Sequence, residues 1–207
     1  MDGTAPDADL GERVALVTGG SRGVGRGVAH ELGAAGATVY VTGRSSAGDR
    51  TDGLDGTVEG TADLVTESGG TGVGIVCDHT DDAAVGAVFD RIESERGGVD
   101  LLVNCAWGGY EGHDETFDAP FWEQPVDRWD RMFDAGVRAA FVASRRAVGP
   151  MLERGSGLLV NVSSGDDGKF RGSVPYDVAK TAVDRMTGGT AHELREHGVS
   201  VVGLYPG

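Results

Sequence analysis

An apolar run that breaks straight into glycines constrains this chain more than any other stretch. Val14-Ala15-Leu16-Val17-Thr18 leads into Gly19-Gly20-Ser21-Arg22-Gly23-Val24-Gly25, and apolar residues then recur at helical spacing at Val24, Val28, Leu32 and Ala35. The pattern reads as a buried strand, a tight loop and the opening of a helix. A phosphate held at a helix N-terminus needs backbone N–H groups aimed at it and no Cβ in the way, so glycine is required where the chain bends and where it nears the ligand. With 36 glycines among 207 residues, glycine spacing alone says little. The position of the loop, directly after a strand and directly before a helix, makes it a phosphate loop.

The rest of the chain alternates in the same way. Ala37 to Arg44 reads as a second strand ending at a basic residue, residues 45–56 as a polar surface loop, and residues 57–68 as a helix. Gly72 to Asp78 is a third strand, and Thr80 is placed as the N-cap of a helix carrying Val85, Val88, Phe89 and Ile92. Val99 to Val103 is a fourth strand, ending in Asn104-Cys105-Ala106-Trp107-Gly108-Gly109. Residues 110–125, with Phe117, Phe121 and Trp122, form an aromatic, acidic insertion that is either a lid or a packed loop. A long helix with Trp129, Phe133 and Phe141 runs to about Arg154, its aromatics serving a core or an inter-subunit face. Leu158 to Val162 is a fifth strand entering Ser163-Ser164, a helix carries Tyr176 to Leu194, and Val199 to Tyr205 is a sixth strand ending at Pro206-Gly207. Short, continuously apolar strands separated by helices predict an α/β fold of three layers, a doubly wound parallel sheet of Rossmann type with strand order 3-2-1-4-5-6. One domain over residues 13–207 is expected, preceded by a flexible acidic terminus over residues 1–12.

Thirty-three acidic against 18 basic residues give a formal net charge of −15, which argues against nucleic-acid and anionic-membrane partners. No apolar run approaches the ~18 residues of a membrane span, and a cytoplasmic location is expected. Cys77 and Cys105 close strand-like segments and are expected as thiols rather than a disulfide. Lys169 and Lys180 are the only lysines. An acidic, lysine-poor surface fits either a salt-loving source or an acidic mesophilic protein.

Tyr176 and Lys180 lie four residues apart at a helix start and so project from one face. An ammonium beside a phenol favours the phenolate, drawing the hydroxyl toward use as a general acid or base. Ser163-Ser164 ends the preceding strand, where this fold places its ligand, and offers a hydroxyl to a substrate oxygen.

Taken together, Thr18 to Gly25, Asp78, Asn104-Cys105-Ala106, Asn161-Val162-Ser163-Ser164, Tyr176-x-x-x-Lys180 and Pro206-Gly207 resemble the short-chain dehydrogenase/reductase (SDR) family in type and order over nearly the whole chain. Phe121 to Pro125, Ala135 to Arg138, Val174 to Tyr176 and Ala191 to Arg195 resemble more narrowly the branch named for SDR family member 1. The resemblance implies catalytic roles for Ser164, Tyr176 and Lys180, with Ser163 the rival of Ser164. It implies that Gly19, Gly23 and Gly25 pass under a pyrophosphate, that Ser21, Arg22, Val24 and Arg44 also bind the cofactor, and that Asp78 meets the adenine. Asn104 and Ala106 would border the ribose, Lys180 would reach the second ribose beside Tyr176, and Pro206 and Gly207 would close the nicotinamide end. The implied partner is a small carbonyl or alcohol substrate, and the implied assembly a homodimer or homotetramer. The runner-up is a dinucleotide-binding scaffold with weak or no catalysis.

Cofactor choice follows from charge. A carboxylate at the end of the second strand binds a ribose 2′-OH and repels a 2′-phosphate, whereas this strand ends in Gly43-Arg44 with Arg22 nearby in the loop. Two guanidiniums suit a 2′-phosphate, so NADP(H) is expected over NAD(H). The chain departs from the family at three places: Gly136 stands where a helix asparagine is usual, Trp107 where a glycine is, and Cys105 where a second asparagine is. Family members also continue beyond Pro-Gly, so the sequence is expected to be part of a longer chain.

Overall fold

The computed structural model describes residues 9–51, 54–110, 119–164 and 169–206. Six strands form one parallel sheet: β1 Val14–Thr18, β2 Thr38–Gly43, β3 Thr71–Val76, β4 Leu101–Asn104, β5 Gly157–Val162 and β6 Val199–Leu204. Their order is β3-β2-β1-β4-β5-β6, as the alternation predicts. The helices between them are α1 Gly23–Ala34, α2 Val58–Glu67, α3 Asp82–Arg96, α4 Val126–Met132, α5 Ala139–Arg154 and α6 Val174–Leu194. A π-helical segment, Phe133–Arg138, joins α4 to α5 without a break. No helix among the described residues is long and apolar enough to cross a membrane.

Strand alternation divides the core in two. Leu16, Tyr40, Leu102 and Leu159 face one side with Val85, Val88, Phe89 and Ile92 of α3 and Ala143, Ala147 and Met151 of α5. Ala15, Val17, Val39, Val41 and Val103 face the other with Ala29 of α1 and Val58 and Val65 of α2. Burial on both faces is what parallel strands require, and β1 is buried along its whole length. The outer strands are less buried than their continuously apolar sequence suggests. β3 is half-buried or exposed throughout, and Val202 and Leu204 of β6 are exposed, because each edge strand has a neighbour on one side only.

Other details correct the sequence reading. The buried stripe of α1 is Gly25, Ala29 and Gly33, while Val24 is exposed. Small residues let the helix approach closely: a Cβ on Gly33 would lie 2.9 Å from the Val65 carbonyl oxygen. The cap of α3 is Asp81, whose carboxylate accepts from the amides of Ala83 and Ala84; Thr80 instead serves Asp78. Trp129 and Phe133 stack at 4.5 Å on the surface, and Phe141 is exposed, so none of the three fills the core. Leu10 packs on the α1–α2 side of the sheet and its amide donates to Ala35. Residues 1–8, Phe117 and Gly207 lie outside the described residues.

Candidate active site

The carboxyl ends of the strands open a cleft of about 420 Å³. Gly19, Ser21, Arg22 and Gly23 of the first loop, Arg44 after β2, Asp78 after β3 and Ala106 after β4 line it together. Val24, Gly25, Asn104, Ser164, Tyr176, Lys180 and Pro206 are outside the lining, Val24 being exposed and Gly25 and Asn104 buried. Gly25 is needed there for contact, since its Cβ would lie 2.5 Å from the Gly19 carbonyl oxygen. Pro206 follows β6 and is exposed.

The crossing of two loops sets the floor. Gly19 has φ +65°, and a Cβ on it would lie 2.7 Å from Cα of Ala106 and 2.8 Å from the Cys105 carbonyl oxygen. The loops after β1 and β4 therefore touch backbone to backbone. Thr18 locks them: its Oγ1 accepts from the amides of Cys105 and Ala106, each at 3.1 Å. Beneath, Asn104 Nδ2 donates to Ser144 Oγ at 2.9 Å and to Asn161 Oδ1 at 2.8 Å, and Asn161 Nδ2 donates to Thr187 Oγ1 at 2.8 Å. That buried network joins α5, β4, β5 and α6.

At one end of the cleft Arg22 donates to Ser45 Oγ and to the Thr51 carbonyl. The Thr51 amide donates to Ser45 Oγ at 3.1 Å. Arg44 lies near enough to Asp78 to act on its charge. Burial raises the Asp78 carboxyl, but the Thr80 amide and hydroxyl, with Arg44 and His79, hold it below the ordinary carboxylate range.

His79 lines the cleft and is buried. The Thr42 hydroxyl donates to the Val17 carbonyl and so accepts from His79 Nε2 at 2.9 Å. Nδ1 has no hydrogen-bond partner among the described residues. Burial pulls the ring down to about 4 from an ordinary 6.5, against a weaker pull upward from Asp78. The unfolded chain then binds the proton first as pH falls, so stability contributed by neutral His79 is present above pH 6.5 and is lost on the way down to pH 4. Wild type is expected to lose on the order of 3 kcal/mol more than His79→Gln over that window, read from paired urea unfolding curves at each pH. Parallel pH profiles of the two proteins would refute it.

At the other end the cleft is walled by Trp107 and Tyr110. Trp107 meets the Tyr176 ring edge-on at 5.4 Å, and Tyr110 stacks on Tyr176 at 6.4 Å. Burial raises the Tyr110 hydroxyl, and the adjacent Tyr176, which shares a hydrogen bond with it, raises it further. Lys180 Nζ donates to the Val162 carbonyl at 3.2 Å and lies 3.9 Å from the centre of the Trp107 ring. Burial lowers the lysine to about 8, opposed by Cys105 and Asp184. Tyr176 and Lys180 thus share one helix face, with Lys180 Nζ 5.8 Å from the Tyr176 ring centre. Ser163 is buried and its Oγ donates to the Lys180 carbonyl at 3.3 Å, whereas Ser164 is only half-buried. Trp122 is exposed, pairs edge-on with Phe121 and does not line the cleft. Sequence reasoning missed Ser45, Thr51 and His79 in the lining. An Arg-Ser pair after the second strand was the one available signal, since His79 reads as an ordinary loop residue.

A doubly wound parallel sheet with a glycine loop at its first crossover and a cleft across the carboxyl ends of its strands defines a Rossmann-type, dinucleotide-binding fold, with the Tyr176–Lys180 pair packed against the Trp107 wall of that cleft. The short chain dehydrogenase family profile matches residues 13–207, and the chain belongs to that family. It is 41% identical over 201 residues to dehydrogenase/reductase SDR family member 1 of Mus musculus and 39% identical to the Homo sapiens protein of the same name. Each alignment covers 97% of this chain and 61% of the relative, so the chain spans about three fifths of their length. Among solved structures it is similar to a metagenomic short-chain oxidoreductase in complex with NADP. The TM-score is 0.80 at 26% identity, covering 96% of this chain and 84% of that one.

Proposed function

We propose that this chain is an NADP(H)-dependent oxidoreductase that moves a hydride between nicotinamide C4 and a ketone, aldehyde or alcohol. One observation carries the reading: a single cleft runs from the Arg22–Arg44 pair to the aromatic wall against which Tyr176 and Lys180 lie. The residues present fit such a dinucleotide, since Gly23, at φ +55°, has nothing within 4 Å of a built Cβ and leaves the loop open toward a phosphate. Gly19, Ser21, Arg22, Gly23, Val24 and Gly25 would hold the pyrophosphate, Asp78 the adenine, and Asn104 with Ala106 the ribose side, with Pro206 and Gly207 beyond β6 at the nicotinamide. Arg22, Arg44 and Ser45 would take the 2′-phosphate.

When bound, NADP(H) supplies or receives the hydride. The Tyr176 hydroxyl gives its proton to the carbonyl oxygen in reduction and takes it from the alcohol in oxidation. The Lys180 ammonium stabilises the phenolate that remains. Ser164 orients the substrate oxygen, a role open to it because Ser163 is engaged with the backbone of α6. The working assembly in this reading is a homodimer or homotetramer in the cytoplasm.

Fluorescence titration of the 207-residue chain with NADPH and NADH tests the cofactor. NADPH is expected to bind at least tenfold more tightly, and Arg44→Asp to remove that margin by repelling the 2′-phosphate. Equal or tighter NADH binding by wild type would overturn the preference, and binding of neither nucleotide would overturn the whole reading.

A further inference from the structure

Two departures from the family pattern, at 107 and 136, meet in space. A Cβ built on Gly136, in the π-helical segment, would lie 2.6 Å from Trp107 Cε3 and closer still to Cζ3. Gly136 is itself buried, so the indole is pressed against bare helix backbone. Its other surfaces are occupied by the two residues that carry the chemistry. The Lys180 ammonium lies 3.9 Å from the ring centre, within the range of a cation–π contact, and the Tyr176 ring abuts it at 5.4 Å and 73°.

We propose that Trp107, seated on Gly136, is a positioning residue for Tyr176 and Lys180, holding the ammonium on its face and the phenol ring against its edge so that an indole, and not water, fills the helix side of the site. Gly136 acts only through Trp107: any larger residue there evicts the ring. The inference builds on the reading of Tyr176 and Lys180 as the catalytic pair, and it places an aromatic wall where a polar side chain or solvent would otherwise reach the lysine. Charged and titratable neighbours of Lys180 are Cys105 at the end of β4, Tyr176 and Asp184 on its own helix, and Tyr110 beyond Tyr176. Burial is the largest influence on the lysine, ahead of those charges. Removal of the ring hydrates the ammonium, and the loss of burial outweighs the loss of the ring's attraction.

Because Lys169 and Lys180 are the only lysines, selective ¹⁵N-lysine labelling gives two side-chain signals, assigned with Lys169→Arg. Their titration is followed in the protein without cofactor, so a chain that reduces no carbonyl still returns an answer on this point. The Lys180 midpoint is expected to rise by about one pH unit or more in Trp107→Gly. It should rise similarly in Gly136→Ala, which also serves if Trp107→Gly does not fold. The double variant should shift no further than Trp107→Gly alone, since the nearest atoms to a Cβ at 136 all belong to Trp107. Trp107→Phe, which keeps a ring face, should hold the wild-type midpoint to within a few tenths of a unit. An unmoved midpoint in Gly136→Ala, additive shifts in the double variant, or a full shift in Trp107→Phe would each overturn the proposal.

Discussion

Tyr176→Phe is expected to lower kcat by about 10²- to 10⁴-fold while NADPH affinity stays within about threefold. The ring keeps its stacking against Trp107 and Tyr110 in the variant, while the hydrogen bond it shares with Tyr110 goes with the hydroxyl. What disappears is the hydroxyl, and with it the proton that a carbonyl oxygen needs as it gains charge. Tyr110 cannot simply replace it: burial, the largest influence on the Tyr110 hydroxyl, still raises it in the variant and makes it a poorer acid. Single-turnover oxidation of bound NADPH by a panel of small ketones and aldehydes, read beside a binding titration, separates the two quantities. Undiminished turnover would remove Tyr176 from the chemistry, whereas NADPH binding by wild type with no turnover of the panel would favour the scaffold reading.

Gly19→Ala is expected to be the most damaging single methyl group in the cleft. Alanine pays for left-handed backbone at φ +65°, on the order of 1–2 kcal/mol. The added carbon also meets Ala106 and Cys105 backbone that cannot swing aside, because Thr18 holds both of their amides. A total loss of about 3–5 kcal/mol of stability is expected, with NADPH affinity reduced by roughly a hundredfold or more. Gly23→Ala is the comparison, with similar backbone geometry at φ +55° and open space around its Cβ. It should lose only the conformational part in a thermal or urea unfolding curve. Equal stability losses in the two variants would mean that the crossing of the β1 and β4 loops is not what Gly19 protects.

Much of this was legible in the residues. Strand order follows from alternation and handedness, and the Tyr176–Lys180 spacing needs only helix geometry to bring both side chains to one face. The α1 stripe was legible only in part: Val28 and Leu32 pack half-buried against the core, but Val24 is exposed, and the fully buried Gly25, Ala29 and Gly33 are buried through being small. Trp107 and Gly136 each stand out as departures from the family pattern, but their partnership is invisible in the residues, since a glycine carries no sign of what fills the space beside it. Asn104 reads as a cleft residue by motif. Its bonds to Ser144 and Asn161 join segments 40 and 57 residues away, and no local pattern announces them.

Those bonds divide the cleft into a fixed jaw and an adjustable one. The jaw with Trp107, Tyr176 and Lys180 is hung from four elements stitched through buried amides and hydroxyls. The opposite jaw is closed by Arg22 on Ser45 and Thr51, surface-side contacts that an arriving phosphate would exchange for its own oxygens. Under the proposed function, loading would rearrange the end remote from Tyr176 and Lys180, whose contacts with Trp107 are made by the protein alone.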